Sequence, residues 1–169
     1  MRAALLALGL SSWLGGCGTD DVDLSGVYSV TVDVASAPCG NDAAVAMGPA
    51  YLHFFKADLF GQTVFQYDEC KDLAATDCFA SGGLFESLAE PIDDGWRGRL
   101  SSSSATTTRC LMTYVEETAI ANGSHLTVDK ARYEYDGDVP AAGCTTEEAE
   151  KRGTTMDCKS HSRREGEKQ

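Results

Sequence analysis

Leu24-Ser25-Gly26-Val27-Tyr28-Ser29-Val30-Thr31-Val32-Asp33-Val34-Ala35 alternates apolar and polar residues almost without a break. Successive side chains of a strand point to opposite faces, so a period of two marks a strand buried on one side. The pattern puts Tyr28, Val30, Val32 and Val34 on one face and Ser29, Thr31 and Asp33 on the other. Its β-branched residues suit a pleated, half-buried surface.

The same period recurs along the chain. In residues 50–56, Leu52 and Phe54 share a side, and Tyr51, His53 and Phe55 lie opposite. Both faces are apolar, which predicts a strand covered twice. Asp58 to Gly61 supply a turn, and Thr63 to Tyr67 return with Phe65 and Tyr67 on one face. Residues 70–82 read as irregular, and Leu84 to Ala89 as a short strand ending at Pro91. Asp93-Asp94-Gly95 is a turn signal. After it, Trp96 and Leu100 are expected inward and Arg97 and Arg99 outward. Ser101–Ser104 and Thr106–Thr108 carry no apolar residue, which fits an exposed strand end or loop.

The clearest hairpin spans 109–135, with Asn122-Gly123 at its bend, a dipeptide suited to a type I′ turn. After Lys130 the apolar phase moves to Ala131, Tyr133 and Tyr135, which predicts a β-bulge. Thr145 with Glu148 forms a capping box for one short helix, 145–152, that Gly153 can stop. A closing strand is expected over 154–162, with Met156, Cys158 and Ser160 on one face. The fold class is therefore mainly β: an antiparallel meander forming a small barrel or a two-sheet sandwich, with one short helix.

The N-terminus has a different character. Arg2 precedes an apolar stretch and then small residues, the layout of an export signal. The stretch is shorter than the roughly 20 residues needed to span a bilayer. Leu14-Gly15-Gly16-Cys17 resembles the lipobox of bacterial lipoproteins. The resemblance implies a diacylglyceryl group on the Cys17 sulfur, removal of residues 1–16, and acylation of the new amino group in many Gram-negative bacteria. A thiolate is the nucleophile the thioether needs. Gly18, not Asp, follows Cys17, which resembles an outer-membrane passenger. Residues 17–23 read as a lipidated tether, 24–163 as a single β domain and 164–169 as a flexible basic tail.

Cleavage leaves 153 of the 169 residues, enough for a real core. Loss of Arg2 takes the net charge from −12 to −13. That charge argues against nucleic acid and anionic headgroups as partners, and leaves lipid as the means of membrane attachment.

Seven cysteines less Cys17 leave six: Cys39, Cys70, Cys78, Cys110, Cys144 and Cys158. An even set in an exported chain points to disulfides, in any of fifteen pairings. Nearness in sequence favours Cys70–Cys78 and Cys144–Cys158, which leaves Cys39–Cys110. A zinc site would need short paired spacings such as Cys-x-x-Cys, and the sequence has none.

No Gly-x-Ser-x-Gly elbow and no phosphate-binding glycine loop occurs. His53, His125 and His161 share no ligand spacing, and Asp136-Gly137-Asp138 lacks the further oxygen ligands calcium requires. No cofactor, metal or enzymatic activity is expected. Leu24-Ser25-Gly26-Val27-Tyr28 resembles the Gly-x-Trp opening of lipocalins, with Tyr28 where that family has Trp. The resemblance implies a calycin-type barrel. Tyr28, Phe54, Phe65, Trp96, Tyr114 and Tyr133 fall on the faces that the alternation turns inward, where they fill a core or line a cavity for a small apolar ligand. Two roles are expected of such a chain: an envelope lipoprotein that acts by surface contact or as part of the envelope's structure, or a carrier of an apolar molecule.

Overall fold

The computed structural model describes residues 22–40, 44–46, 48–80, 87–138 and 143–169. The signal segment, the lipobox with Cys17 and the tether up to residue 21 lie outside them, as do residues 84–86 of the expected short strand. The described chain is mainly antiparallel β, with ten strands and one short helix, α1. The strands are β1 (Gly26–Ser36), β2 (Ala44–Val45), β3 (Tyr51–Leu59), β4 (Gln62–Cys70), β5 (Cys78–Ala80), β6 (Glu90–Ile92), β7 (Gly95–Ala105), β8 (Cys110–Asn122), β9 (His125–Gly137) and β10 (Asp157–Lys168), with α1 at Thr146–Arg152. No helix among the described residues is long and apolar enough to cross a membrane.

All ten strands belong to one sheet, in the order β5-β4-β3-β1-β10-β9-β8-β7-β6, with β2 beside β1. This is neither a two-sheet sandwich nor a closed barrel. The continuous ladder ends at β6, and the gap between β4 and β7 is crossed by one isolated bridge, Phe65–Leu88. Two backbone hydrogen bonds of 2.9 Å make that bridge. The last strand, expected to end at residue 162, runs on to Lys168 and lies between β1 and β9. Residues 164–168 are therefore an inner strand and not a free tail.

The sheet curls around one interior. Tyr28, Phe54, Phe65, Trp96, Leu24, Leu52, Leu88, Leu126 and Val128 form its main core, with contributions from β1, β3, β4, β7 and β9. The rings interlock: Phe54 stacks on Tyr67 at 4.7 Å, and Phe65 meets Trp96 edge-on at 5.0 Å. Such pairs add about 0.5–1.5 kcal/mol each beyond simple burial.

A second core lies on the opposite face of the sheet. Cys110, Met112, Tyr114, Cys144, Ala149 and Met156 are buried there, with Tyr133 and Tyr135 packed against them. α1 covers this face, begun as expected by Thr145, whose hydroxyl accepts from the Glu148 N–H at 3.1 Å. Gly153, with φ 47°, ends it. A seven-residue helix is marginal on its own, and the Cys110–Cys144 disulfide holds this one to β8.

That second core explains the phase change after Lys130. The β8–β9 ladder runs without a register shift from Cys110–Gly137 to Asn122–His125. No bulge occurs there, because burial simply passes from the inner face to the outer face where α1 begins to cover it. The bulges lie elsewhere. In β1, Val30 and Val32 pair with the consecutive residues Gly166 and Glu165, so Thr31 is the extra residue. Val32 and Val34 therefore leave the Tyr28 face, and Asp33 and Ala35 take their place. In β10, Cys158 and Ser160 pair with the consecutive Tyr133 and Arg132, so they face opposite ways and not one way as the alternation suggested. The β8–β9 turn also differs from expectation. Its loop is Gly123-Ser124, with a positive φ at Gly123 alone, which is a type II′ and not a type I′ pattern.

All six cysteines are paired, but two of the expected pairings are exchanged. Cys70–Cys78 forms as expected; the others are Cys39–Cys158 and Cys110–Cys144. The β10 bulge turns Cys158 to the outer face, where the segment after β1 reaches it. Cys144 enters α1 over β8, beside Cys110.

Candidate functional site

The register gives the curled sheet two unlike ends. At one end lie Gly26 of β1, Leu59 and Gln62 at the β3–β4 turn, Gly95, the Gly123-Ser124 turn and Lys168. The chain enters the domain here. Trp96 Nε1 donates to the Val22 carbonyl at 2.7 Å, and Lys56 Nζ lies 3.0 Å from Asp23. This half of the interior is filled by the aromatic core. Tyr28 donates its hydroxyl to the Leu24 carbonyl at 3.0 Å, and burial, with Asp23 nearby, raises its pKa.

The other half of the interior is charged. Tyr67 on β4 donates to Glu117 Oε1 on β8 at 2.5 Å, and Glu117 is only 4% exposed. Lys130 Nζ on β9 lies 3.9 Å from the same carboxylate. One layer nearer the mouth, Arg164 on β10 donates to Glu69 on β4 at 2.6 Å and lies 3.5 Å from Asp33 on β1. Burial works against the Arg164 charge, but Glu69, Tyr67 and Asp33 more than restore it, and its pKa lies above the ordinary value. Asp33 is inside only because of the Thr31 bulge. Gly48 closes over it so tightly that a Cβ there would fall 1.5 Å from Asp33 Oδ2.

Above this network a cleft of about 340 Å³ opens between β8, β9, β10 and the end of β1. Lys130, Arg132, Ser160 and Ser162 supply polar walls, and Ala35 and Val115 an apolar floor. The three disulfides frame this end. Val45, Leu73, Phe79 and Leu111 are exposed at it, four of the six large apolar side chains exposed among the described residues. These side chains are exposed singly, on β2, the β4–β5 loop, β5 and β8, and each would meet a molecule that approaches this end.

Of the six aromatic residues expected to face one interior, Tyr28, Phe54, Phe65 and Trp96 do, and they pack in the main core. Tyr114 and Tyr133 lie under α1 on the outer face, their ring centroids 6.2 Å apart. Burial, with the hydrogen bond to Glu116, pushes the Tyr114 phenol up to about 12. The charged residues of the other half escaped the sequence reading. Glu69 and Glu117 do lie at even spacing from Phe65 and Ala119 on their strands, but Asp33 and Arg164 depend on a bulge and a partner that periodicity does not reveal.

Chemically, the network balances most of its charge: Glu117 meets Tyr67 and Lys130, Glu69 and Asp33 share the one cation Arg164, and Asp33 Oδ2 and Arg164 Nε are buried without a hydrogen-bond partner among the described residues. Carboxylates held against donors and cations in this way suit fixed geometry and recognition more than proton transfer. Among the described residues no group of His, Cys, Asp or Glu is arranged to hold a metal ion. No family model matches the chain, and no curated protein or solved structure is significantly similar to it.

Proposed function

We propose that the chain is a lipid-anchored protein of the bacterial cell envelope. Cys17 holds it in the outer membrane, and it acts without catalysis by presenting the disulfide-framed end of its sheet to a partner. Leu14-Gly15-Gly16-Cys17 supports the anchor. The observation that carries the reading is the opposition of the two ends. Val22 is fixed at the aromatic end, while the cleft and most exposed apolar side chains lie at the other. A lipid on Cys17 would direct that second end away from the bilayer. The sequence has no nucleophile motif, and Glu117 and Glu69 are tied by hydrogen bonds to Tyr67 and Arg164, which supports a role without catalysis.

Carriage of a small apolar ligand is the second reading, and it rests on the cleft with Ala35 and Val115 at its floor. The aromatic residues that would have lined a larger cavity pack on one another instead. Cys17→Ala tests the anchor. The variant is expected to take up no labelled palmitate and to keep residues 1–16, because the cut before position 17 follows lipidation. Palmitate uptake by the variant would refute the assignment. Native mass spectrometry of the protein released without detergent tests the second reading, which fails if no small molecule accompanies it.

A further inference from the structure

The turn between β3 and β4 is built against its own preferences. Leu59 pairs with Gln62, so Phe60 and Gly61 form a two-residue loop, with φ of 55° and 81°. Both central positions of such a turn require positive φ, where Asn, Asp or Gly is the ordinary choice. A bulky side chain at positive φ is strained. Asp58 supports the turn by accepting from the Gly61 N–H at 2.9 Å. Phe60 is fully exposed, so its ring adds nothing to the core. Folding explains the glycine but not the phenylalanine.

The position of this turn does suggest a use. β1 pairs with β3 only at Tyr51–Phe54, so the outer part of the hairpin continues past the start of β1. From Lys56 to Phe60 is four residues, about 13 Å of strand. Lys56 also binds Asp23, so the hairpin and the incoming chain are joined at one point. Cys17 stands five residues before Val22, at most about 18 Å of extended chain. A bilayer holding a lipid on Cys17 therefore lies within reach of the Phe60 tip.

We infer that Phe60 inserts into the lipid surface beside the anchor, giving the domain a second point of contact that fixes its orientation. This rests on the lipidation of Cys17 proposed above. The contact is apolar, between a phenylalanine ring and the headgroup–acyl boundary, where membrane-bound surfaces bury Trp, Phe and Leu side chains. Asp58 next to the tip and the net charge of the chain make a zwitterionic surface the better partner than an anionic one.

The test uses the full, lipidated chain carrying Phe60→Trp, in phosphatidylcholine vesicles. Trp96 is buried and serves as the internal background. Brominated phosphatidylcholine should quench the added tryptophan at least twofold while leaving the parent chain almost unchanged. The quenching should weaken when anionic lipid is included. A chain that floats with vesicles but shows no added quenching overturns the inference and leaves the anchor standing. A chain that does not float overturns both. Hydrogen exchange in the unmodified turn gives a second reading that needs no variant there. Residues 57–63 should be better protected in the lipidated chain on phosphatidylcholine vesicles than in the same chain on vesicles rich in anionic lipid, and equal exchange would overturn the insertion.

Discussion

Tyr67 Oη lies 2.5 Å from Glu117 Oε1, joining β4 to β8 although the sheet order places four strands between them. Only a curled sheet brings those two residues together, so this hydrogen bond reports directly on closure of the interior. A charge-assisted bond at a buried site is about twice as strong as a neutral one. Tyr67→Phe should cost about 1.5–3 kcal/mol in urea unfolding, because it takes a donor from a carboxylate that remains buried. Tyr67→Phe combined with Glu117→Gln should cost less than the sum of the single changes, by about 1 kcal/mol or more. Additive costs would show that the two groups are not coupled.

The disulfides should differ in their worth. The residues they join are 119, 34 and 8 positions apart for Cys39–Cys158, Cys110–Cys144 and Cys70–Cys78. Restriction of the unfolded chain grows with the loop, giving about 4.9, 3.8 and 2.5 kcal/mol respectively. Paired Cys→Ser variants should lose stability in that order. Removal of Cys110 and Cys144 should also strip helical signal in circular dichroism, since α1 depends on that link. The reverse order of stability would mean that native contacts, not chain entropy, set the contribution of each bridge.

How far the sequence could be read depends on which interactions decide each element. The β8–β9 hairpin and α1 are specified locally, by alternation and a turn glycine in one case and by Thr145, Glu148 and Gly153 in the other. Both were legible. The faces of Val32, Val34 and Ser160 were not, because a bulge is fixed by what the partner strand can accommodate. Tyr114 and Tyr133 follow the strand period faithfully, yet α1 covers the face that alternation alone would expose. The charged half of the site was hidden for the same reason. Arg164 looks like part of a basic tail until β10 is seen between β1 and β9.

Alkaline titration separates Tyr114 from an exposed tyrosine. Its phenol is pushed up to about 12 in the folded protein, against about 10 when unfolded. A group whose pKa is raised by folding contributes its full stabilisation below the unfolded value and loses it as pH climbs through the folded one. The parent should therefore lose stability between pH 10 and 12 through this residue. Tyr114→Phe also loses the hydrogen bond to Glu116, a cost of about 1 kcal/mol near pH 7. That deficit should shrink or reverse by pH 12. Urea midpoints at pH 7, 10 and 11.5 measure it, and parallel curves would assign the alkaline sensitivity to other groups.

Gly98 guards the seam of the sheet. A Cβ on it would come 2.7 Å from the Ser87 carbonyl oxygen and 3.3 Å from the carbonyl carbon. Both are backbone atoms, so no rotamer change relieves the contact. Ser87 precedes Leu88, which is fully buried and makes the bridge to Phe65 across the gap between β4 and β7. Gly98→Ala must then push this segment outward, at about 1–3 kcal/mol for an overpacked site. Its effect should be local as well as global. In native-state hydrogen exchange, the Phe65 and Leu88 amides should open more easily in the variant by more than the overall loss of stability, while the β8–β9 amides follow that overall loss alone. Leu88→Ala makes the contrasting case. It removes core volume, at about 2–5 kcal/mol, but keeps both backbone hydrogen bonds, so the bridge amides should track global unfolding. If the two variants give the same exchange pattern, the seam is held by side-chain packing and not by the close approach of Gly98.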